Sequence, residues 1–216
     1  MPFAPIVGIN NHTHTIVLGC ALLPDEKIET FEWVFKKWKL AVNLPPDHIM
    51  TDQDQAMTTT ISNIFPATIH MCCIYHVLAV ARKKLGPLLV DGNSFADAFY
   101  SCIYGTETVA EFEIFWQNML QRFEMTDNTH LDNMWKSRRK WAPVYFRRNF
   151  FPFTSTTGRS EGLNACFKSL VQPSDSAYNF VQQYELCQNM MLDREDNAGF
   201  TMETTTAPLW GGETTS

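Results

Sequence analysis

The chain has 216 residues and a mass of 24.8 kDa, enough for one large domain or two small ones. Hydrophobic residues make up 45% of it and charged residues 19%, with 16 Phe and 6 Trp, which excludes a disordered chain. The formal net charge of −6 excludes a uniformly basic surface for nucleic acid but allows a local basic patch. No apolar run approaches the roughly 20 residues that cross a membrane, so we expect no membrane association.

The six cysteines favour an intracellular protein with reduced thiols. Their spacing is irregular, and most lie inside apolar stretches, at Cys20, Cys72, Cys73, Cys102, Cys166 and Cys187. A secreted disulfide framework is more typical of a shorter chain.

The first third of the chain predicts alternating strands and helices. Apolar β-rich runs at residues 4–9 and 15–23, joined by a polar loop, predict a β-hairpin. A helical apolar period begins at Thr30. The next elements are a strand, a helix and a strand that runs into a helix, at residues 48–51, 55–65 and 68–77. The resulting order β-β-α-β-α-β predicts an α/β fold.

The middle third predicts helices only, which we interpret as an all-helical insertion. The helical stretches are residues 77–85, 94–103, 108–123 and 130–141. Thr108 and Glu111 form a capping box at the start of the third helix. One face of that helix predicts a buried core, made of Phe112, Phe115, Trp116, Met119 and Phe123.

The last part of the chain predicts a loop followed by two helices. Residues 149–158 form the loop, Ser160 caps the first helix, and residues 178–193 form the second. From about residue 200 the sequence is rich in Thr and Gly and predicts disorder.

Basic residues concentrate in the middle of the chain. Residues 81–170 carry 12 basic and 9 acidic side chains, whereas residues 171–216 carry 1 and 7. The cations that could contact a nucleic-acid phosphate are Lys136, Arg138, Arg139, Lys140, Arg147 and Arg148. Solvated helix faces explain these residues equally well, and they are the simpler explanation for the cations at 82–84.

Two acidic residues are candidates for chemistry. Asp52 lies where a predicted strand meets a helix, and α/β sheets place their sites beyond the carboxyl ends of strands. A carboxylate there could hold a divalent metal ion. Glu161 lies on a helix much later in the chain. By spacing alone the two acids form no motif, and solvated or capping carboxylates are the simpler explanation for both.

The order of the elements indicates a ribonuclease H-like transposase core. In that layout a hairpin, a helix and a strand ending in Asp precede an inserted helical block and a helix that bears Glu. Such cores use an Asp-Asp-Glu triad to bind two Mg²⁺ or Mn²⁺ ions, which activate water and a 3′-hydroxyl in phosphoryl transfer.

A set of motifs resembles the Mutator-like (MULE) transposase domain and, more narrowly, the plant far-red impaired response family. The resemblance extends from residue 2 to about residue 195 and is specific when the motifs are taken together. The motifs are Pro2–His12, Leu18–Leu23, Thr30–Trp33, Thr51–Met57, Cys73–His76, Trp141–Pro143 and Thr156–Asn164.

The resemblance implies roles for individual residues. Asp52 matches the second catalytic Asp and Glu161 the catalytic Glu, a pair that would bind Mg²⁺ weakly without the third acid. Cys73 and His76 match the family's Cys-x-x-His element, which we interpret as structural or adjacent to the active site, because two ligands are too few for a zinc site. Arg159 could contact phosphate or simply lie at the surface.

The resemblance also implies a division of the chain. Residues 1–77 form the first part of the core, residues 78–150 the helical insertion, residues 151–195 the helices that complete the core, and residues 196–216 a disordered tail. The family's first catalytic Asp and central strand lie upstream of the hairpin, so the core is expected to be incomplete. We therefore expect a fragment, or a chain that is poorly stable alone.

The function implied by the resemblance is that of a non-catalytic nuclear regulator of transcription in light-controlled plant development. DNA is then bound by modules outside this chain, which also hold zinc, and the protein forms homo- or heterodimers. A Mutator-like transposase, intact or decayed, with Mg²⁺ in its site is the alternative. A fragment without an independent role is a third reading.

Overall fold

The computed structural model describes residues 2–10, 12–149, 151 and 176–204. The chain divides into two compact units. The described part of the first unit comprises Pro2, residues 22–149 and Phe151, and that of the second comprises the remaining residues up to 21 together with 176–204.

Four strands and seven α-helices are present in the described residues. The strands are β1 (Phe3–Ile9), β2 (Thr15–Leu22), β3 (His48–Thr51) and β4 (Ile69–Cys72). The helices are α1 (Ile28–Val42), α2 (Gln55–Ile64), α3 (Ile74–Leu85), α4 (Ser94–Tyr104), α5 (Val109–Arg122), α6 (Thr129–Ser137) and α7 (Ala177–Thr204). Short 3₁₀ turns occur at Gly86–Leu89, Arg138–Lys140 and Pro143–Phe146.

The strands pair two by two. β1 pairs with β2 as the predicted hairpin, and β3 pairs with β4 in parallel, with Thr51 opposite Cys72. The crossover between β3 and β4 is α2, as a parallel pair requires. The predicted order β-β-α-β-α-β and the α/β class are confirmed. Within the described ranges the two pairs form separate two-stranded sheets.

α1 and α2 pack against each other through aromatic side chains. Phe31 and Val34 are buried on α1, and Phe35 and Trp38 contact Phe65, at the end of α2, edge to face, with ring centroids 5.8 and 6.1 Å apart. The helix begins at Ile28, two residues before the predicted Thr30, and the Thr30 hydroxyl donates to the Asp25 carboxylate at 2.6 Å from within the first turn.

The helices from α3 onward share one aromatic core. Phe112, Trp116 and Trp141 are at most 1% exposed and have ring centroids 5.7 to 6.2 Å apart. The Trp141 indole N–H donates to the Met134 carbonyl at 3.0 Å, which satisfies its one polar group. From Ile74 to Asn149 the chain contains helices, 3₁₀ turns and loops but no strand.

The predicted start of α5 is correct and its predicted face needs one correction. Thr108 Oγ1 accepts from the Glu111 amide at 3.1 Å, and the Glu111 carboxylate accepts from the Glu107 amide at 2.8 Å, one residue earlier than in a standard capping box. Phe115, predicted to be in the core, is 45% exposed. It lies about 60° around the helix from Phe112, at the edge of the apolar face.

The second unit packs α7 on the hairpin. Phe180 contacts Phe3 edge to face at 5.6 Å, and the buried Cys187 packs among Val7, Val17 and Tyr184. The helix continues to Thr204, past the predicted end at residue 193. Residues 196–204, assigned from sequence to a disordered tail, are therefore helical, since no proline interrupts the stretch. Residues 205–216 lie outside the described part.

None of the described helices combines the length and apolarity needed to span a membrane.

Two phenylalanines on α5 test the position of the helical core. We expect Phe112→Ala to lower the free energy of unfolding by about 3–5 kcal/mol, because it leaves a cavity among buried aromatic rings. Phe115→Ala, the same change one turn along, should cost less than about 1 kcal/mol. Urea denaturation followed by circular dichroism measures both. Equal losses would contradict the assigned core.

Candidate acidic pocket at the end of the parallel strands

The carboxyl ends of β3 and β4 lie at one edge of the parallel pair. Thr51 is opposite Cys72, and the Cys73 amide donates to the Thr51 carbonyl at 2.7 Å, one step beyond the strands. The loop after β3 and the start of α3 after β4 therefore meet at this edge. Asp52 lies on the first, and His76 lies in the first turn of the second.

Asp52 and Asp54 have different roles in the loop before α2. The Asp54 carboxylate accepts from the Met57 amide at 2.7 Å and caps the helix. The Asp52 carboxylate accepts from the Asp54 amide at 3.2 Å and remains exposed. Asp54 is thus committed to the helix terminus, and Asp52 is the acid available to a ligand.

Asp52 and His76 line the same open pocket, which has a volume of about 420 Å³. The other lining residues are Gln53, Asp54, Ala79, Val80 and Lys83. The structure therefore brings together one residue of the predicted acidic site and one of the Cys-x-x-His element. Lys83 was not identified from the sequence as part of this site. It lies seven residues after His76, and that two-turn spacing on a helix was the available signal.

Cys73 and His76 do not act as a pair facing the pocket. Cys73 is fully buried at the N-terminus of α3, whereas His76 is half-buried and lines the pocket. The Cys-x-x-His spacing thus joins a buried residue at the strand–helix junction to a residue of the site.

His70 and Thr51 form a partly buried polar contact between β3 and β4. Thr51 Oγ1 lies 2.8 Å from His70 Nε2 and also donates to the Asp52 carbonyl at 2.8 Å. Burial, together with the charge of the nearby Lys140, lowers the pKa of His70 from 6.5 to about 4. Burial also raises the pKa of the Cys72 thiol. The His70 imidazole and the Cys72 thiol are therefore neutral at physiological pH.

Several of the cations predicted to contact phosphate instead form hydrogen bonds or ion pairs with other residues of the chain. Arg138 donates to the Glu113 carboxylate at 3.0 Å and to the Tyr145 hydroxyl at 3.0 Å, and its guanidinium lies 3.8 Å from the centroid of the Trp135 ring. The Tyr145 hydroxyl and Arg138 together lower the pKa of Glu113. This cluster ties α5 to the segment after α6, so Arg138 has a structural role.

Two further cations have protein partners at the surface. Lys136 pairs with Asp132 one turn earlier on α6, and Arg147 donates to the Thr106 carbonyl at 2.7 Å. Of the six predicted cations, Arg139, Lys140 and Arg148 are exposed and form neither an ion pair nor a side-chain hydrogen bond with another described residue. Their contact with phosphate stays a prediction.

The donor set in the described ranges does not suffice for Mg²⁺. No group of three or more His, Cys, Asp or Glu side chains that could hold a metal ion occurs there. Of the two acids at the pocket, Asp54 is used as a helix cap, and the Lys83 ammonium lies on the same pocket. Arg159 and Glu161, predicted from the family resemblance, lie outside the described residues. Among the described residues, the pocket therefore supplies one uncommitted carboxylate, fewer oxygen ligands than Mg²⁺ prefers.

The chain is similar in sequence to a known domain family and to known plant proteins. Residues 1–80 match the MULE transposase domain. Protein FAR1-RELATED SEQUENCE 5 of Arabidopsis thaliana is 34% identical over 201 residues, which are 93% of this chain and 26% of that protein. Protein FAR-RED IMPAIRED RESPONSE 1 of the same plant is 30% identical over 201 residues, 93% of this chain and 24% of that protein.

The predicted resemblance is confirmed. The chain is similar to the far-red impaired response proteins of plants, and its first 80 residues match the MULE transposase domain. It spans about a quarter of the length of the two relatives named.

The division of labour between Asp54 and Asp52 can be tested by stability. We expect Asp54→Ala to lower the free energy of unfolding by about 1 kcal/mol, because the Met57 amide loses its acceptor. Asp54→Ser, which also caps helices, should restore most of it. Asp52→Ala should cost less than about 0.5 kcal/mol, as its carboxylate is exposed. A larger loss for Asp52→Ala in urea denaturation would contradict the assignment.

His70 predicts a pH dependence of stability. Its pKa is lower in the folded state than the ordinary 6.5, so protons bind more tightly to the unfolded chain. The stabilisation is complete above pH 6.5 and is lost as the pH falls toward about 4. His70→Gln should flatten the unfolding free energy across this window. Lys140→Gln should keep most of the slope, because burial is the larger cause. An unchanged slope in His70→Gln would refute the prediction.

Proposed function

We propose that this chain is the transposase-derived domain of a plant regulator of transcription that acts in light-controlled development and no longer cleaves DNA. The observation that carries the proposal is the similarity to Protein FAR-RED IMPAIRED RESPONSE 1 and Protein FAR1-RELATED SEQUENCE 5 over 93% of the chain. The match extends well past the 80 residues of the transposase-domain match, into the helical region.

The fold we propose for the domain is a ribonuclease H-like core with an all-helical insertion. Support comes from the hairpin β1–β2, the parallel pair β3–β4 and the helices that follow α3. Asp52 directly after β3 occupies the place that such a core gives to a catalytic acid.

The arrangement of the pocket supports a non-catalytic role. Asp52 is the one acidic side chain there that is not used as a helix cap, and Lys83 shares the pocket with it. A nearby ammonium compensates a carboxylate and disfavours a divalent cation. We therefore propose that Asp52 and Glu161 are remnants of the ancestral site.

A Mutator-like transposase is the second candidate. The match of residues 1–80 to the MULE transposase domain and the exposure of Asp52 in an open pocket favour it. In that case Asp52 and Glu161 hold Mg²⁺ together with an acid contributed from elsewhere in the protein, and the activity is metal-dependent cleavage and transfer of DNA strands.

The remaining parts of the proposal concern the whole protein. We propose that it is nuclear, reaches DNA through zinc-containing modules outside this chain, and forms homo- or heterodimers within the family. The acidic net charge of −6 supports this division, because phosphate binding dominates the affinity of DNA-binding modules.

Substitution of the two acids in the full-length gene product separates the candidates. We expect Asp52→Asn and Glu161→Gln to leave activation of a target promoter within about twofold of wild type, since neither acid is needed for assembly. Phe112→Ala, which opens the helical core, should abolish activation and serves as the control for folding.

The same variants are assayed for Mg²⁺-dependent cleavage of DNA that carries terminal inverted repeats. The regulator predicts no cleavage by the wild type. Cleavage that is lost in both acid variants would establish the transposase instead, and loss of promoter activation in both variants would show that the acids still serve the regulator.

A further inference from the structure

Two helices of the first unit place three tyrosines around one arginine. Tyr75 and Arg82 lie seven residues apart on the same face of α3, and Tyr100 and Tyr104 lie one turn apart on α4. Arg82 Nε donates to the Tyr100 hydroxyl at 3.0 Å. The hydrogen bond to Tyr100 is the main cause that raises the pKa of Arg82, and the nearby Tyr104 and Tyr75 raise it to a smaller extent. We call these four residues the tyrosine–arginine surface.

The rings of this surface are accessible. Tyr104 is 57% exposed and Tyr75 is 52% exposed, while Tyr100 is half-buried and fixes the guanidinium. Exposed aromatic rings held on helices present flat faces at little cost in conformational entropy. The surface thus offers two exposed rings near a positioned cation, and the Tyr75 ring also meets the His76 ring edge to face at 5.7 Å.

The charge of the surface is positive although the chain is acidic. Arg82 has no carboxylate partner in the described ranges, and neither have Lys83 and Lys84 beside it. Asp97 lies one turn before Tyr100 on α4 but makes no ion pair with Arg82. Lys83 connects the surface to the Asp52 pocket. The expected ligand is an anion.

We propose that the tyrosine–arginine surface binds an unpaired nucleic-acid strand, whose bases stack on Tyr75 and Tyr104 and whose phosphates contact Arg82 and Lys83. Exposed aromatic rings interleaved with cations are the combination that binds single strands without reading sequence. A duplex buries its base faces and offers nothing to the two rings. The inference goes beyond the proposed function, which assigns DNA binding to modules outside this chain.

Fluorescence anisotropy of the 216-residue chain with labelled oligo(dT) and oligo(U) of about 16 nucleotides tests the proposal. We expect both to bind more tightly than a mixed-sequence duplex. The double variant Tyr75→Ala, Tyr104→Ala should weaken binding at least about 30-fold, because two base-stacking rings are lost. Tyr75→Phe with Tyr104→Phe keeps the rings and should bind like wild type. Arg82→Gln should reduce the slope of log affinity against log salt by about 0.7.

Trp33→Ala is the matched control, because Trp33 is a 60% exposed aromatic on α1, outside the surface. It should leave the affinity unchanged, and circular dichroism should show every variant folded. Tighter binding of oligo(U) than of oligo(dT), or the reverse, identifies RNA or DNA as the source of the strand and supports the proposal. Absence of oligonucleotide binding, preference for the duplex, equal loss in Trp33→Ala, or displacement of oligo(dT) by a short acidic peptide at equal concentration would overturn it. None of these results depends on promoter activation.

Discussion

The parallel pairing of β3 with β4 determines which side chains of the first unit meet at the edge of the sheet. Parallel strands require a crossover, which α2 supplies, and their carboxyl ends then point the same way. The loop bearing Asp52 and the first turn of α3 meet at that edge as a result. Because α3 continues from β4 after one residue, its His76 and Lys83 line the same pocket, while Arg82 on an adjacent side of the helix reaches Tyr100 of α4. The short β3–β4 sheet thus positions α3, which contributes to both the Asp52 pocket and the tyrosine–arginine surface.

Most helices and strands could be predicted from the sequence, because each depends mainly on residues that are close together in the chain. Apolar runs, a polar loop and helical spacing predicted the hairpin, the β3–α2–β4 order and the start of α5 at Thr108. The ends of the helices were predicted less accurately. Thr-rich composition hid the continuation of α7 to Thr204, and helical phase alone did not show that Phe115 lies at the edge of the core face.

The candidate site was predicted only in part, because its remaining features depend on contacts distant in sequence. Asp52 was found from its place after a strand, and His76 from a family motif, but Lys83 was missed. Arg138 belonged to a run of cations that could equally bind phosphate. Only the fold shows that Glu113 and Tyr145, from other elements, already satisfy it. A run of basic residues in the sequence therefore overestimates how many cations are available to bind a ligand.

The separate uses of Asp52 and Asp54 have a consequence for the descent of such domains. Asp54 caps the N-terminus of α2, so selection for folding alone favours Asp or another capping residue such as Ser at this position. Asp52 makes its hydrogen bond to the loop from an exposed position, and drift can replace it once strand cleavage is no longer selected. In a domesticated lineage, the first aspartate of the Asp-Gln-Asp sequence is thus the informative one. Under the proposed function, replacement of Asp52 marks the loss of strand cleavage, whereas a capping residue at position 54 shows only that the domain still folds.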